Sequence, residues 1–162
     1  MAALLVLAGC SSGGSGGSAP SSSAAPSTPG NGAPKVTSPV DIGRYQQNPC
    51  GALTPTELLS FQVTTGQAGT KGTMLGQNNS QLGVDCTWLT SNNVGLSLSF
   101  TTDKEGLGFF YGGGSTPDRI PDIEGQPAVI SAADETSGDC VISVGASDTA
   151  FYAATVKNDT EA

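Results

Sequence analysis

Apolar and polar residues alternate in 84–90 and 95–101, and short apolar runs recur as far as Lys157, a pattern that predicts an antiparallel sheet. Residues 84–90 place Cys86 and Trp88 on one face. After a turn at Ser91-Asn92-Asn93, residues 95–101 direct Leu96, Leu98 and Phe100 to the core and Ser97, Ser99 and Thr101 away from it. The apolar run 107–111 (LGFFY) continues the strand series and is closed by Gly112, Gly113 and Gly114. Residues 115–125, with two prolines, read as a long connection; 127–132, 140–146 and 149–157 then form a meander with turns at 134–139 and 146–148. One helix start is well signed. Thr54-Pro55-Thr56-Glu57 has the capping-box spacing, with Pro55 at the first helical position, and Leu58, Leu59 and Phe61 supply an apolar stripe. Residues 66–81 are expected as loop. The pattern predicts an α+β fold, an antiparallel sheet of about five or six strands with a short helix packed on it.

The first forty residues follow a different logic. Residues 1–8 (MAALLVLA) are wholly apolar and run into Leu7-Ala8-Gly9-Cys10, an export-signal pattern too short for the ~20 residues that span a bilayer. Small residues ahead of a cysteine resemble the bacterial lipobox, in which the chain is cut before the cysteine and the Cys10 thiol takes a diacylglycerol. No basic residue precedes the run, so Met1 is expected to be an internal start of a longer chain. Residues 11–34 carry no charge and consist of Ser, Gly, Ala and Pro with one Thr and one Asn. Such a stretch cannot offset its ordering entropy and is expected as a flexible tether. The expected organisation is residues 1–9 as a truncated lipoprotein signal peptide, 10–40 as lipidated cysteine and tether, and 41–162 as a single domain.

Charge and composition remove several function classes. The net charge of −8 gives no positive footprint for nucleic acid or anionic lipid. The chain has no His, which excludes Ser-His-Asp and Cys-His catalysis and His-ligated zinc. The four lysines, at 35, 71, 104 and 157, show no Ser-Lys catalytic spacing. Asp118, Asp122 and Glu124, and Asp134, Glu135 and Asp139, are the available carboxylate clusters, and both read as solvated turn formers rather than glycosidase pairs or a calcium loop. With Cys10 assigned to lipid, Cys50, Cys86 and Cys140 remain. Their spacing lacks any close Cys pair, so no metal is expected. Cys86 and Cys140 both fall in predicted core strands, so a Cys86–Cys140 disulfide is expected, leaving Cys50 free.

Four blocks carry a family resemblance: residues 46–55 (QQNPCGALTP), 83–88 (GVDCTW), 125–129 (GQPAV) and 138–145 (GDCVISVG). Together they resemble the domain-of-unknown-function 3558 family of actinobacterial, largely mycobacterial, lipoproteins, over residues 35–158. Members similarly begin with an export signal, a lipobox and a Ser/Gly/Pro-rich tether. The resemblance implies a location, not an activity. Members also continue into an Asp-Pro-Cys segment and a terminal helix, whose cysteine would be the natural partner of Cys50. Here residues 158–162 (NDTEA) end the chain without one, so the resemblance implies either truncation at both ends or a free Cys50.

The functional expectation is a non-catalytic binding or structural module, without cofactor, on the extracytoplasmic face of the cell membrane. Its partners would be membrane lipid through Cys10 and an envelope protein. Phe109, Phe110 and Tyr111 cannot all face inward on one strand, so at least one ring is expected at the surface, either as a partner contact or, as the resemblance implies, as a ring that the terminal helix of other members would cover. The alternative is a carrier of a small or apolar ligand, or an accessory of an envelope transporter. A carrier needs a concave apolar pocket between helix and sheet.

Overall fold

A computed structural model of the chain describes residues 32–63, 68–75, 81–90, 94–102, 105–112, 116–134 and 139–158. Seven strands form one antiparallel sheet: β1 (Thr70–Leu75), β2 (Gln81–Leu89), β3 (Val94–Thr101), β4 (Asp118–Ile123), β5 (Gln126–Asp134), β6 (Asp139–Ser147) and β7 (Ala150–Asn158), in the order β1-β2-β3-β7-β6-β5-β4. The fold is α+β, and two strands lie where the pattern predicts none. β1 falls inside the expected loop 66–81, where Gly72 and the lack of alternation hide it. β4 falls inside the expected connection. Pro121 and the charges of Asp118, Arg119 and Asp122 read as loop signals, yet they suit an edge strand, which must discourage pairing with another chain. Glu124 and Gly125 both have positive φ, 53° and 78°, so β4 and β5 are joined by a tight two-residue hairpin turn.

Register sorts the side chains into two faces. Opposed pairs Val84↔Phe100, Cys86↔Leu98 and Trp88↔Leu96 place these residues on one side, which continues through Tyr152, Ala154 and Val156 of β7. The helical layer covers this side over β1–β3. It comprises α1 (Gly43–Gln47), a 3-10 turn (Pro49–Gly51) and α2 (Pro55–Ser60). Tyr45 of α1 stacks on Phe100 with centroids 4.8 Å apart, and Gln46 Nε2 donates to the Phe100 carbonyl at 3.0 Å. Ile42 packs with Val84, Phe100, Ala146 and Ala150, while Cys50, Leu53, Leu58 and Phe61 pack on Val63, Cys86, Trp88 and Leu96. The predicted capping box is complete: Glu57 N donates to Thr54 Oγ1 at 3.3 Å and Thr54 N donates to Glu57 Oε2 at 2.8 Å.

The opposite side is covered over β5–β7. Leu107, Val129, Phe151 and Ala153 form its buried cluster, under a 3-10 turn at Gly106–Phe110. The run 107–111, expected as a strand, is therefore a turn. Gly106 has φ +52°, and a Cβ there would press on the Ser147 and Asp148 backbone, so glycine lets the turn close against the β6–β7 connection. Residues 33–40, expected as the end of the tether, pack on the domain. Ala33 and Val36 are buried, Val36 N donates to Asp148 Oδ1 at 3.0 Å, Gln126 Nε2 donates to the Ser38 carbonyl at 2.7 Å, and Val40 N donates to the Ala146 carbonyl at 2.8 Å.

The expected Cys86–Cys140 disulfide is replaced by Cys50–Cys86, with Cα atoms 5.1 Å apart. The register explains the correction. Cys86 lies in the row Cys86–Leu98–Ala154–Ile142, whereas Cys140 stands opposite Val156 in the neighbouring row. Three strand spacings separate β2 from β6, roughly 14 Å, twice the reach of a disulfide. Cys50 is accordingly paired and not free; its 3-10 turn sits directly on β2.

Candidate functional site

The concave site lies where α2 ends over the sheet. After Ser60 the chain closes the helix with Gln62 at φ 62°, Gln62 N donating to the Leu59 carbonyl and Val63 N to the Leu58 carbonyl, each at 3.0 Å. This left-handed cap turns the chain downward, and Val63 makes an isolated bridge to Thr90. Between the cap and the sheet a cavity of about 230 Å³ remains, lined by Ser60, Phe61, Gln62, Thr90, Val94, Leu96 and Val156. Val94, Leu96 and Val156 are its aliphatic floor and Phe61 its wall. Its rim groups are already engaged: Ser60 Oγ donates to the Glu57 carbonyl at 2.6 Å and Thr90 Oγ1 accepts from Val94 N at 3.1 Å. Trp88 is buried opposite Leu96, directly beside the floor. The Cys50–Cys86 bond fixes the turn preceding α2 to the same strand, β2, and so holds the roof over the floor.

The aromatic trio lies on the other side. Phe109 is 43 % exposed, while Phe110 and Tyr111 are half-buried against the Leu107–Val129–Phe151 cluster. Phe110 meets Phe151 edge-on at 5.0 Å, and Phe109 meets Phe110 edge-on at 5.3 Å. Phe109 is thus the outermost ring of a stack rooted in the core, a rigid apolar projection.

The carboxylates do not converge on either feature. Asp118, Asp122 and Glu124 are exposed on β4 and its turn, where Asp122 pairs with Arg119 at 3.2 Å. Asp134 and Asp139 end β5 and begin β6; Glu135 lies outside the described residues, as does Cys10. Among the described residues no three His, Cys, Asp or Glu side chains gather as a metal site, and no helix is long and apolar enough to cross a membrane. Among the described residues two groups titrate away from their ordinary values. Thr54, through its backbone and side-chain hydrogen bonds, holds the Glu57 carboxyl below the usual carboxylate range; burial, and then the charge of Glu124, push the Tyr152 phenol up.

The sequence signals α2 but not the cavity beneath it. Its floor joins Leu96 to Val156, which are neighbours only because β7 enters the sheet beside β3. The family described as "Protein of unknown function (DUF3558)" matches residues 5–162. The chain belongs to this family. In this DUF3558 protein the matched span includes every described element, so the residues of the cavity and of the aromatic stack lie within it. Comparison with curated proteins and with solved structures finds no match to the chain.

Proposed function

We propose that this DUF3558 protein is a lipoprotein held at the extracytoplasmic face of the cell membrane through Cys10, its domain acting as a non-catalytic binding module. The Leu7-Ala8-Gly9-Cys10 sequence and the uncharged residues that follow support the anchor. The observation that carries the binding reading is the apolar cavity between α2 and the sheet, whose rim hydrogen bonds are already made. Such a site offers contact rather than reactive groups. It favours the second reading within the same class, a carrier of a small or apolar ligand, for which an anchored domain would have a high effective concentration at the membrane. Phe109 supplies a separate contact for an envelope protein, with Phe110 and Tyr111 as its base.

The anchor is tested by expressing the chain behind a complete export signal and partitioning it between detergent and aqueous phases. The chain with native Cys10 should enter the detergent phase and Cys10→Ala the aqueous phase, and the N-terminal peptide should carry a diacylglyceryl thioether stable to reductant. Unchanged partition, or a Cys10 peptide released by reductant, refutes the anchor.

A further inference from the structure

The two edges of the sheet are not guarded alike. β4 carries Pro121, the charges of Asp118, Arg119 and Asp122, and a register shift against β5, all of which hinder an added strand. β1 has no proline and pairs regularly with β2 from Thr70 to Met74, its one register shift falling beyond, between Met74 and Leu75. Its single charged residue, Lys71, is turned back over the helical layer, where Nζ donates to the Gln47 carbonyl at 3.2 Å. Among the described residues no backbone group pairs with the outer side of β1, so N–H and C=O groups of every second residue point away from the sheet.

A carboxylate stands over this edge. Asp85 lies opposite Gly72 in the register and reaches across it, since a Cβ at Gly72 would fall 2.6 Å from Asp85 Oδ1. Glycine gives the carboxylate its place above the edge strand, with no side chain of residue 72 beside it. Asp85 is half-buried, and among the described residues no cation lies within ion-pair distance of it. Thr87 Oγ1, 3.4 Å from Asp85 Oδ2 and 3.2 Å from Ser97 Oγ, has one proton to share between them.

We propose that β1 takes up an extended, basic segment of a partner protein as an eighth strand, an Arg or Lys side chain of that segment crossing Gly72 to the Asp85 carboxylate. The inference goes beyond the cavity and the Phe109 stack and rests on neither. Backbone hydrogen bonds to β1 supply affinity, and the Asp85 contact supplies the choice of side chain. Successive side chains of the segment fall on opposite faces, and those on the other face meet Lys71, so the sequence recognised alternates basic with uncharged residues. Charge argues against the nearer occupants. A second copy, paired antiparallel through β1, would set two Asp85 carboxylates on one face and join two chains of charge −8; residues 1–31 of the chain itself contain no basic residue.

The full chain carrying Cys10→Ala is titrated against a fluorescein-labelled decapeptide in which Arg and Thr alternate, with anisotropy as the readout. Saturable binding is expected, tighter than that of a peptide of the same composition with its Arg and Thr in two blocks. Asp85→Asn, which keeps the shape of the side chain, should weaken binding about tenfold by removing one charge-assisted contact. Methylating the backbone nitrogens of the Arg residues, or instead those of the Thr residues, should abolish binding in one case and spare it in the other, because only alternate N–H groups of an added strand face β1. Amide exchange within residues 70–74 should slow at every second position on binding. Absence of saturable binding, equal binding of the block peptide, tolerance of both methylated peptides, or unchanged affinity in Asp85→Asn each overturns the inference. So does protection confined to the 106–111 turn, which gives the peptide to the Phe109 stack. A dimer that forms without peptide and protects the same β1 amides gives the edge to a second copy and also overturns it.

Discussion

Removing the Cys50–Cys86 bond should cost this domain a large share of its stability. The bond spans 36 residues, and closing a loop of that length in the unfolded chain corresponds to about 4 kcal/mol of lost entropy. Local packing acts in the same direction. Cys86 is fully buried, and the approach to β1 is so close that a Cβ at Gly69 would fall on the Cys86 sulfur and the Trp88 indole. The bond therefore ties the turn before α2 and the centre of the Trp88 cluster to one strand. Against the ~5–15 kcal/mol of a typical domain, about 4 kcal/mol is a substantial fraction, and at about 4 °C per kcal/mol it lowers the thermal midpoint by roughly 15 °C. The assay compares urea and thermal melts of the native chain with those of the Cys50→Ala/Cys86→Ala double variant, following Trp88 emission. Non-reducing peptide maps establish the pairing in parallel. A double variant within about 1 kcal/mol of the native chain would refute the loop-entropy argument. A map showing Cys50 as a free thiol, or joined to another cysteine, would refute the pairing itself.

Three further outcomes follow from the same geometry. Thr54→Ala should cost about 1 kcal/mol through the lost cap, and Leu58→Ala about 2 kcal/mol, the low end for a core leucine because Leu58 is only half-buried; if Leu58→Ala is the milder change in denaturant melts, α2 does not cover the core. Gly69→Ala should destabilise by roughly 1–3 kcal/mol by forcing β1 away from Cys86 and Trp88, with a red shift of Trp88 emission as the check. The stability of the native chain should fall at both ends of the pH scale. Glu57, depressed in the fold, contributes above its ordinary value of 4.5 and loses that contribution as pH falls; Tyr152, raised in the fold, contributes below its ordinary value of 10.0 and loses it as pH rises. Glu57→Gln should flatten the acid limb of the midpoint curve and Tyr152→Phe the alkaline limb.

Strands with one covered face were legible because alternation is a local signal. Leu96, Leu98 and Phe100 announce β3, and the capping box announces α2 before any partner is known. The edge strands were not legible because an edge is protected by the same residues that mark loops. Pro121 and three charges make β4 safe against pairing with another chain and unrecognisable as a strand. The run 107–111 failed for the opposite reason. Its apolar side chains suit a strand, but Gly106 at positive φ, pressed against the Ser147 and Asp148 backbone, directs the chain into a 3-10 turn that tops a core built elsewhere.

The disulfide and the cavity were hidden by sheet order. Core-facing cysteines on two strands imply a bond only if the strands are neighbours, and sequence order does not say that β7 separates β3 from β6. The same insertion creates the cavity. With β7 placed beside β3, Val156 completes the cavity floor under α2. The helical layer, joined to β2 by Cys50, packs mainly over β1–β3. On the opposite face β2 and β3 carry Asp85, Thr87, Ser97 and Ser99. Polar residues on one face of β2 and β3, and Cys86, Trp88, Leu96 and Leu98 on the other, therefore require a cover on the side of the Cys50–Cys86 bond alone, which is where the helical layer lies.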